Sequence, residues 1–147
     1  MTTIFNKILI VCVGNICRSP TAERILQEKL PGKQVSSAGL KALEDKGMDL
    51  QSAKLLSERG YISDNHRART INRELVASAD LILVMQRVHQ SLLMEQYPEV
   101  SGKVMLLGRW SNNLEIIDPF LKSDEVYSLV YKQIETCCLD WHQKLAS

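Results

Sequence analysis

No stretch of this 147-residue sequence approaches the roughly 20 consecutive apolar residues that a membrane-spanning helix needs. The apolar run near the N-terminus is short, Asn6 and Lys7 precede it, and no small-residue cleavage site follows it. We therefore interpret that run as a first strand and not as a signal peptide. These absences predict a cytoplasmic protein that does not insert into a membrane.

The sequence also lacks a charge excess, because its 18 basic and 17 acidic residues leave a net charge of only +1. Such a balance gives no electrostatic footprint for nucleic acid or for an anionic membrane. Four cysteines without an export signal are more typical of reduced thiols than of a disulfide framework. Cys12 and Cys17 have no histidine nearby, and Cys137 and Cys138 are distant in sequence, so we expect no metal site.

Apolar runs alternate with helical patterns along the whole chain. Strands are predicted at residues 7–13, 33–39, 80–85 and 103–107. Helices are predicted from Pro20 to Leu30, over 49–60, near Asn72, over 88–97, and from Ser123 onward. Because strand–helix–strand units build parallel sheets, we predict one Rossmann-like α/β domain over 1–147. Its three layers comprise a central four-stranded parallel sheet flanked by helices, with its ligand beyond the carboxyl ends of the strands.

The segment VCVGNICRSPTAE, residues 11–23, lies at that edge, between the first strand and the first helix. The start of a helix presents unpaired N–H groups and positive dipole charge, which suit an anion the size of phosphate. We expect Gly14 to supply a backbone conformation closed to most residues, so that successive N–H groups converge. Arg18 adds a planar fork for two phosphoryl oxygens. The glycine patterns of nucleotide and dinucleotide sites are absent, and no cofactor is expected.

Cys12 gives this loop its chemistry. The field that holds a phosphate dianion also stabilises a thiolate, and the Ser19 hydroxyl is placed to hydrogen-bond to the sulfur. A thiolate beneath a phosphoryl group is poised for in-line attack that forms a phosphocysteine. The alternative is a buried cysteine that only packs, with Arg18 as a surface cation. A cation at a helix start opposes the dipole and needs a compensating anion, which favours the catalytic interpretation.

These residues resemble the signature of the low-molecular-weight protein tyrosine phosphatases, and the resemblance covers essentially the whole chain. It includes SSAGL (36–40), NHRAR (65–69), DLILVM (80–85), KVMLLG (103–108) and the pair Asp118-Pro119. The sequence is most similar to bacterial members tied to exopolysaccharide or capsule export, which dephosphorylate a partner tyrosine autokinase. The resemblance implies a phosphotyrosine phosphatase I-like fold and a phosphotyrosine protein as substrate, and we expect a monomer.

The resemblance also implies a role for each site residue. Cys12 is the nucleophile, and Asp118 is the acid that protonates the leaving phenolate and then the base that activates water. The phosphoryl group is held by Arg18 and by the backbone of Val13, Gly14, Asn15, Ile16, Cys17 and Arg18. Hydrogen bonds from Asn15, Ser19, Ser37 and His66 brace the loop.

Several of these residues have a second interpretation from the sequence alone. An isolated Asp-Pro pair such as Asp118-Pro119 is commonly a turn, and Ser37 and His66 can be ordinary buried polar residues with partners. Cys17 is either a core thiol or a redox partner, and the resemblance implies a reversible, protective disulfide with Cys12. The sequence leaves both interpretations of Cys17 open.

The sequence departs from many family members at the expected substrate wall. Phe120 stands where many carry tyrosine, which keeps an aromatic wall but removes a phosphorylatable hydroxyl. Leu43 aligns with the tryptophan wall position of many eukaryotic members. A leucine at this position is expected to loosen the selectivity for aromatic substrates.

Two other functions compete with that of a tyrosine phosphatase. An arsenate reductase of the same fold needs additional redox cysteines, whereas Cys137 and Cys138 lie on or beside the apolar stripe of the last helix, where packing is the simpler role. A non-catalytic phosphotyrosine-binding module needs neither a nucleophile nor an acid, yet Cys12, Arg18 and Asp118 are all present. The sequence therefore predicts a metal-independent protein tyrosine phosphatase.

Overall fold

A four-stranded parallel sheet with helices on both faces forms the fold of the computed structural model, which describes residues 5–146. The strands are β1 (Lys7–Cys12), β2 (Gln34–Gly39), β3 (Leu81–Val84) and β4 (Val104–Leu106), in the spatial order β2-β1-β3-β4. The helices are α1 (Arg18–Lys29), α2 (Leu50–Glu58), α3 (Arg73–Ser78), α4 (Arg87–Gln96) and α5 (Asp124–Leu145). The predicted α/β architecture with four parallel strands is confirmed.

Strand β1 is buried on both faces, as its unbroken apolar sequence predicts. Ile8, Ile10 and Cys12 face the core formed with α1 and α5. Leu9 and Val11 face the opposite core, which includes side chains of α3 and α4. Two apolar layers on one sheet give the three-layer arrangement.

Apart from shifts of one or two residues at the ends of elements, the structure differs from the predictions in two places. Helix α1 begins at Arg18, so Pro20 is its third residue and not its first. A proline is tolerated there because the N–H groups of the first turn have no partner within the helix in any case. A 3₁₀ helix over Pro98–Lys103, just before β4, was not predicted from the sequence.

Helix α5 begins where the sequence predicts. The Ser123 side chain accepts a hydrogen bond from the Val126 N–H, and Asp124 and Glu125 occupy the first turn, where the helix dipole favours acidic groups. The predicted apolar stripe faces the core, with Val126 only half-buried. Between residues 5 and 146, no helix has the length and apolar character needed to cross a bilayer.

The position of β1 within the sheet determines which loops lie beside its carboxyl end. Because β1 lies between β2 and β3, its last residue, Cys12, pairs with Gly39 at the end of β2, and Val11 pairs with Val84 at the end of β3. Loops from three strands therefore meet at the carboxyl end of β1.

Candidate active site

The loop that follows β1 turns its carbonyl groups outward. The carbonyl oxygens of residues 12–17 all accept hydrogen bonds, at 2.6–3.2 Å, from other parts of the chain. Their donors are, in order, the N–H groups of Leu40, Lys41 and Leu43, the His66 ring, and the N–H groups of Asp49 and Thr21.

In a trans peptide the C=O of one residue and the N–H of the next point in opposite directions, and no peptide bond among the described residues is cis. The N–H groups of residues 13–18 are therefore directed to the inner side of the loop. The N–H groups of residues 13–17 donate no hydrogen bond to any acceptor within residues 5–146. Such a concave set of N–H groups at a helix start is an anion-binding arrangement.

Asn15 holds the loop in this shape. It has the left-handed backbone conformation, with φ 59°, whereas Gly14 does not, so the expectation that Gly14 supplies the unusual conformation is wrong. Asparagine tolerates this region better than most residues. Its Oδ1 accepts from the Arg69 N–H at 3.0 Å, which fixes the orientation of the amide, and its Nδ2 donates to Ser19 Oγ and Ser37 Oγ.

Three of the predicted bracing residues, Asn15, Ser37 and His66, form a ring of polar contacts with Glu23 of α1, made of three hydrogen bonds and one longer contact. Asn15 Nδ2 donates to Ser37 Oγ at 3.0 Å, and Ser37 Oγ donates to Glu23 Oε1 at 2.6 Å. The same carboxylate lies 3.9 Å from His66 Nδ1, while His66 Nε2 donates to the Asn15 carbonyl at 2.6 Å. The ring returns to the residue at which it started. Each of these buried polar groups therefore has a partner, which makes the loop stiff.

Cys12 lies at the base of the loop with its sulfur 3.0 Å from Ser19 Oγ. Because Asn15 Nδ2 already donates to that oxygen at 2.8 Å, the Ser19 hydroxyl hydrogen is free to donate to the sulfur. A donated hydrogen bond stabilises a thiolate over a thiol. Asn15 and Ser19 thus form a short hydrogen-bond relay that ends at the Cys12 sulfur.

Arg18, Asp118 and the two expected wall residues border one open cavity of about 190 Å³. Arg18 is buried, with 3% of its surface exposed. Asp118 is exposed, and its Oδ1 accepts from the Phe120 N–H at 3.1 Å. Leu43 and Phe120 are 47% and 42% exposed, so they present apolar surface at the rim. The other lining residues are Cys12, Val13, Gly14, Asn15, Ile16, Cys17 and Lys41.

Cys17 is the last residue of the loop, immediately before α1, and it is buried. Burial and the nearby charge of Asp49 raise the pKa of its thiol to about 12, so it is protonated at neutral pH. All four cysteines are free thiols. Between residues 5 and 146 no cluster of three or more His, Cys, Asp or Glu side chains could hold a metal ion.

Four residues that were not predicted from the sequence contribute to the site. Glu23 completes the ring, the Arg69 N–H fixes the Asn15 amide, and Gln86 accepts from Arg18 Nη1 at 2.7 Å. Gly39 lies against the loop. Of these four, only Glu23 lies within the segment 11–23. Its position in the sequence gave no indication that its side chain shares a hydrogen-bond network with Asn15.

Replacing Gly39 with alanine is expected to distort the loop. A Cβ at this position would lie 2.3 Å from the Val13 carbonyl oxygen, closer than real contacts, and 3.1 Å from Asn15 Cβ, which is also tight. We expect kcat/KM for p-nitrophenyl phosphate to fall between about ten- and a hundredfold, because a displaced loop misaligns its N–H groups. Steady-state kinetics and a thermal melt measure the effect.

Gly32→Ala is the matched control, since no atom lies within 4 Å of the Cβ that it adds. That variant is expected to match the wild type in activity. Equal activity of the Gly39 and Gly32 variants would show that the close approach of β2 does not shape the loop.

Comparison with known proteins identifies the same architecture elsewhere. The family model for low molecular weight phosphotyrosine protein phosphatase matches residues 7–147. The chain is 49% identical over 142 residues to the low molecular weight protein-tyrosine-phosphatase Wzb of Escherichia coli K12, covering 97% of each protein.

Two solved structures extend the comparison to three dimensions. Wzb of Vibrio vulnificus, solved with benzylphosphonate, has a TM-score of 0.93 at 41% identity, and the match covers 96% of this chain and 99% of that one. The YwlE arginine phosphatase of Geobacillus stearothermophilus has a TM-score of 0.88 at 34% identity, over 94% and 91% of the two chains. A match over nearly the whole chain in both sequence and fold means that this protein belongs to the low molecular weight phosphotyrosine protein phosphatase family.

Proposed function

We propose that the protein is a tyrosine phosphatase that hydrolyses phosphotyrosine in proteins through a phosphocysteine intermediate. One observation carries the proposal: the sulfur of Cys12 lies at the base of a loop whose N–H groups all face inward, with the Arg18 guanidinium at its end. This arrangement binds the three outer oxygens of a phosphoryl group and exposes the phosphorus to the sulfur.

In the first step the Cys12 thiolate attacks phosphorus opposite the phenolic oxygen. The S–P bond forms as the P–O bond to the tyrosine ring breaks, and the loop N–H groups and Arg18 hold the charge on the equatorial oxygens. Asp118, in its protonated form, donates its proton to the leaving oxygen. The products of this step are a tyrosine hydroxyl and phosphocysteine.

In the second step water attacks the phosphorus of the phosphocysteine. Asp118, now a carboxylate, removes a proton from that water as the new P–O bond forms. The S–P bond breaks and its electron pair returns to the Cys12 sulfur, which the Ser19 hydroxyl stabilises. Inorganic phosphate leaves, and the protonated Asp118 is ready for the next turnover.

The rim of the cavity supports an aryl phosphate as the substrate. Leu43 and Phe120 present exposed apolar surface, which suits the faces of a phenyl ring above the anion loop. Cys12, at the base of the loop, is only 3% exposed, so the long tyrosine side chain can bring its phosphoryl group to the sulfur more readily than the shorter serine and threonine side chains. We also propose Leu43 and Phe120 as the substrate walls, with a bacterial tyrosine autokinase of capsule or exopolysaccharide production as the physiological partner and the cytoplasm as the place of action.

The last helix offers little support for arsenate reduction. Cys137 and Cys138 are buried in α5, and burial raises the pKa of both thiols. The Cys138 sulfur donates to the Ala22 carbonyl at 3.8 Å, on the core side of α1. Neither thiol is placed to receive oxidising equivalents from the cavity.

Three peptides of one sequence, carrying phosphotyrosine, phosphoserine or phosphoarginine, test the proposed function. We expect the kcat/KM for the phosphotyrosine peptide to exceed those for the other two peptides by about a hundredfold, because Leu43 and Phe120 can pack against a flat aromatic ring. Phosphate release without added metal measures the rates. Faster hydrolysis of phosphoarginine, or thioredoxin-coupled arsenate reduction that outpaces phosphate release, would overturn the proposal.

A further inference from the structure

Arg18 is a buried cation whose hydrogen-bond acceptors are neutral. Its Nη1 donates to Gln86 Oε1 at 2.7 Å and to the Ile116 carbonyl at 2.8 Å. Within residues 5–146, no Asp or Glu oxygen lies close enough to form an ion pair with it. A buried charge is costly unless a counter-charge compensates it. Both acceptors are neutral, so they orient the guanidinium and leave its charge for an anion.

Gln86 lies at the start of α4, but its side chain contacts Arg18 and not the helix. It is the N-cap of α4, where Ser, Thr, Asp and Asn are preferred, and its side chain makes no capping hydrogen bond. Glu115 caps the helix instead, because its Oε1 accepts from the Arg87 N–H at 2.8 Å. The Gln86 side chain is therefore free to reach Arg18, 68 residues away in sequence.

The other titratable groups around Arg18 are neutral, paired with another residue or exposed to solvent. His89 is buried one turn along α4, and burial and the Arg18 charge lower the pKa of its ring to about 4, so it is uncharged at neutral pH. Glu115 forms an ion pair with Arg87, with 3.3 Å between Oε2 and Nη1. Asp118 lies on the exposed side of the cavity. A neutral polar layer thus lies behind the cation.

We propose that Gln86 is a positioning residue that holds Arg18 through a neutral acceptor and so keeps the full guanidinium charge available to the bound phosphoryl group. Arg18 Nη1 is held from behind, while Nε and Nη2 donate to no acceptor within residues 5–146 and are left for two phosphoryl oxygens. The inference rests on the proposed function for the identity of the anion.

The test separates orientation from charge with two substitutions. Gln86→Glu keeps the size and the acceptor but adds a carboxylate, and Gln86→Met keeps the length but removes the acceptor. Gln96→Glu is the control: it makes the same charge change on an exposed residue at the far end of α4, about 15 Å along the helix. Calorimetry with orthovanadate gives the anion affinity, and p-nitrophenyl phosphate gives kcat and KM.

For Gln86→Glu we expect vanadate affinity to fall and KM to rise about tenfold, with kcat changed less, because an adjacent carboxylate competes with the anion for Arg18. For Gln86→Met we expect kcat to fall about tenfold with a smaller change in affinity, because Arg18 loses its alignment but not its charge. Gln96→Glu should match the wild type. Calorimetry does not depend on turnover, so a wild type that binds vanadate but hydrolyses nothing would contradict the proposed function and still leave Gln86 testable.

Three results would overturn the role of Gln86. The first is an unchanged vanadate affinity in Gln86→Glu that folds with the wild-type melting temperature. The second is an equal loss of affinity in the glutamate and methionine variants, which would show that packing and not charge is at stake. The third is an equal loss in Gln96→Glu, which would make the effect one of net charge. Should the glutamate variant fail to fold, the methionine variant tests the role of Gln86. A loss of vanadate affinity in that variant as large as its loss of kcat would overturn the role.

Discussion

Replacing Cys12 with serine is expected to lower the turnover of p-nitrophenyl phosphate by at least about 10⁴-fold, because a serine hydroxyl is far less nucleophilic than a thiolate. The loop should survive the change. Its shape depends on outward-facing carbonyls and on the Asn15 hydrogen bonds, and the Cys12 sulfur takes part only through Ser19. We therefore expect inorganic phosphate, which binds the loop without a bond to the sulfur, to bind the variant within a few-fold of its affinity for the wild type.

Steady-state rates and calorimetry with inorganic phosphate on the same preparation measure the two effects. Cys137→Ser is the matched control, since it replaces a buried thiol of α5 that does not border the cavity. That variant should keep wild-type kcat when rates are normalised to folded protein. Turnover by Cys12→Ser above about 1% of the wild type would remove Cys12 from the role of nucleophile.

Replacing Asp118 with asparagine is expected to slow the reaction by about 10²–10⁴-fold, the usual contribution of a general acid. The loss should depend on the leaving group. p-Nitrophenolate leaves without much help, whereas phenolate needs a proton, so we expect a larger loss for phenyl phosphate than for p-nitrophenyl phosphate. The residue is well placed to donate that proton, because only its Oδ1 accepts a hydrogen bond within residues 5–146, from Phe120 N–H, and the side chain is exposed at the cavity rim.

Asp124→Asn is the control for the loss of one nearby carboxylate. Asp124 lies in the first turn of α5, exposed, six positions after Asp118, and does not border the cavity. Its replacement should leave kcat unchanged and cost only a few tenths of a kcal/mol in stability, through the helix dipole. An equal slowing of the two aryl phosphates by Asp118→Asn would indicate that Asp118 does not protonate the leaving group.

Much of the fold followed from local pattern. A strand buried on both faces is apolar over most of its length, so β1 was predicted from its apolar run, and the other three strands were predicted as well. The stripe of α5 was predicted from its 3.6-residue period, and Ser123 marked its start. The expectation that a glycine supplies the unusual backbone conformation was wrong at Gly14. The neighbouring Asn15 takes the left-handed conformation instead, and three hydrogen bonds of its side-chain amide hold Asn15 in place.

By itself, the sequence determined the fold class, the family resemblance and the placement of Cys12 and Arg18 at the two ends of one loop, since these depend on residues close together in the chain. Only the tertiary structure decided what surrounds that loop. Gln86 and the Ile116 carbonyl reach Arg18 across 68 and 98 residues, and Gly39 meets Val13 because β2 pairs with β1. The physical reason is one of range. A hydrogen bond requires two atoms within about 3 Å, and for residues in different elements that distance is set by strand order and helix packing, which no local pattern encodes.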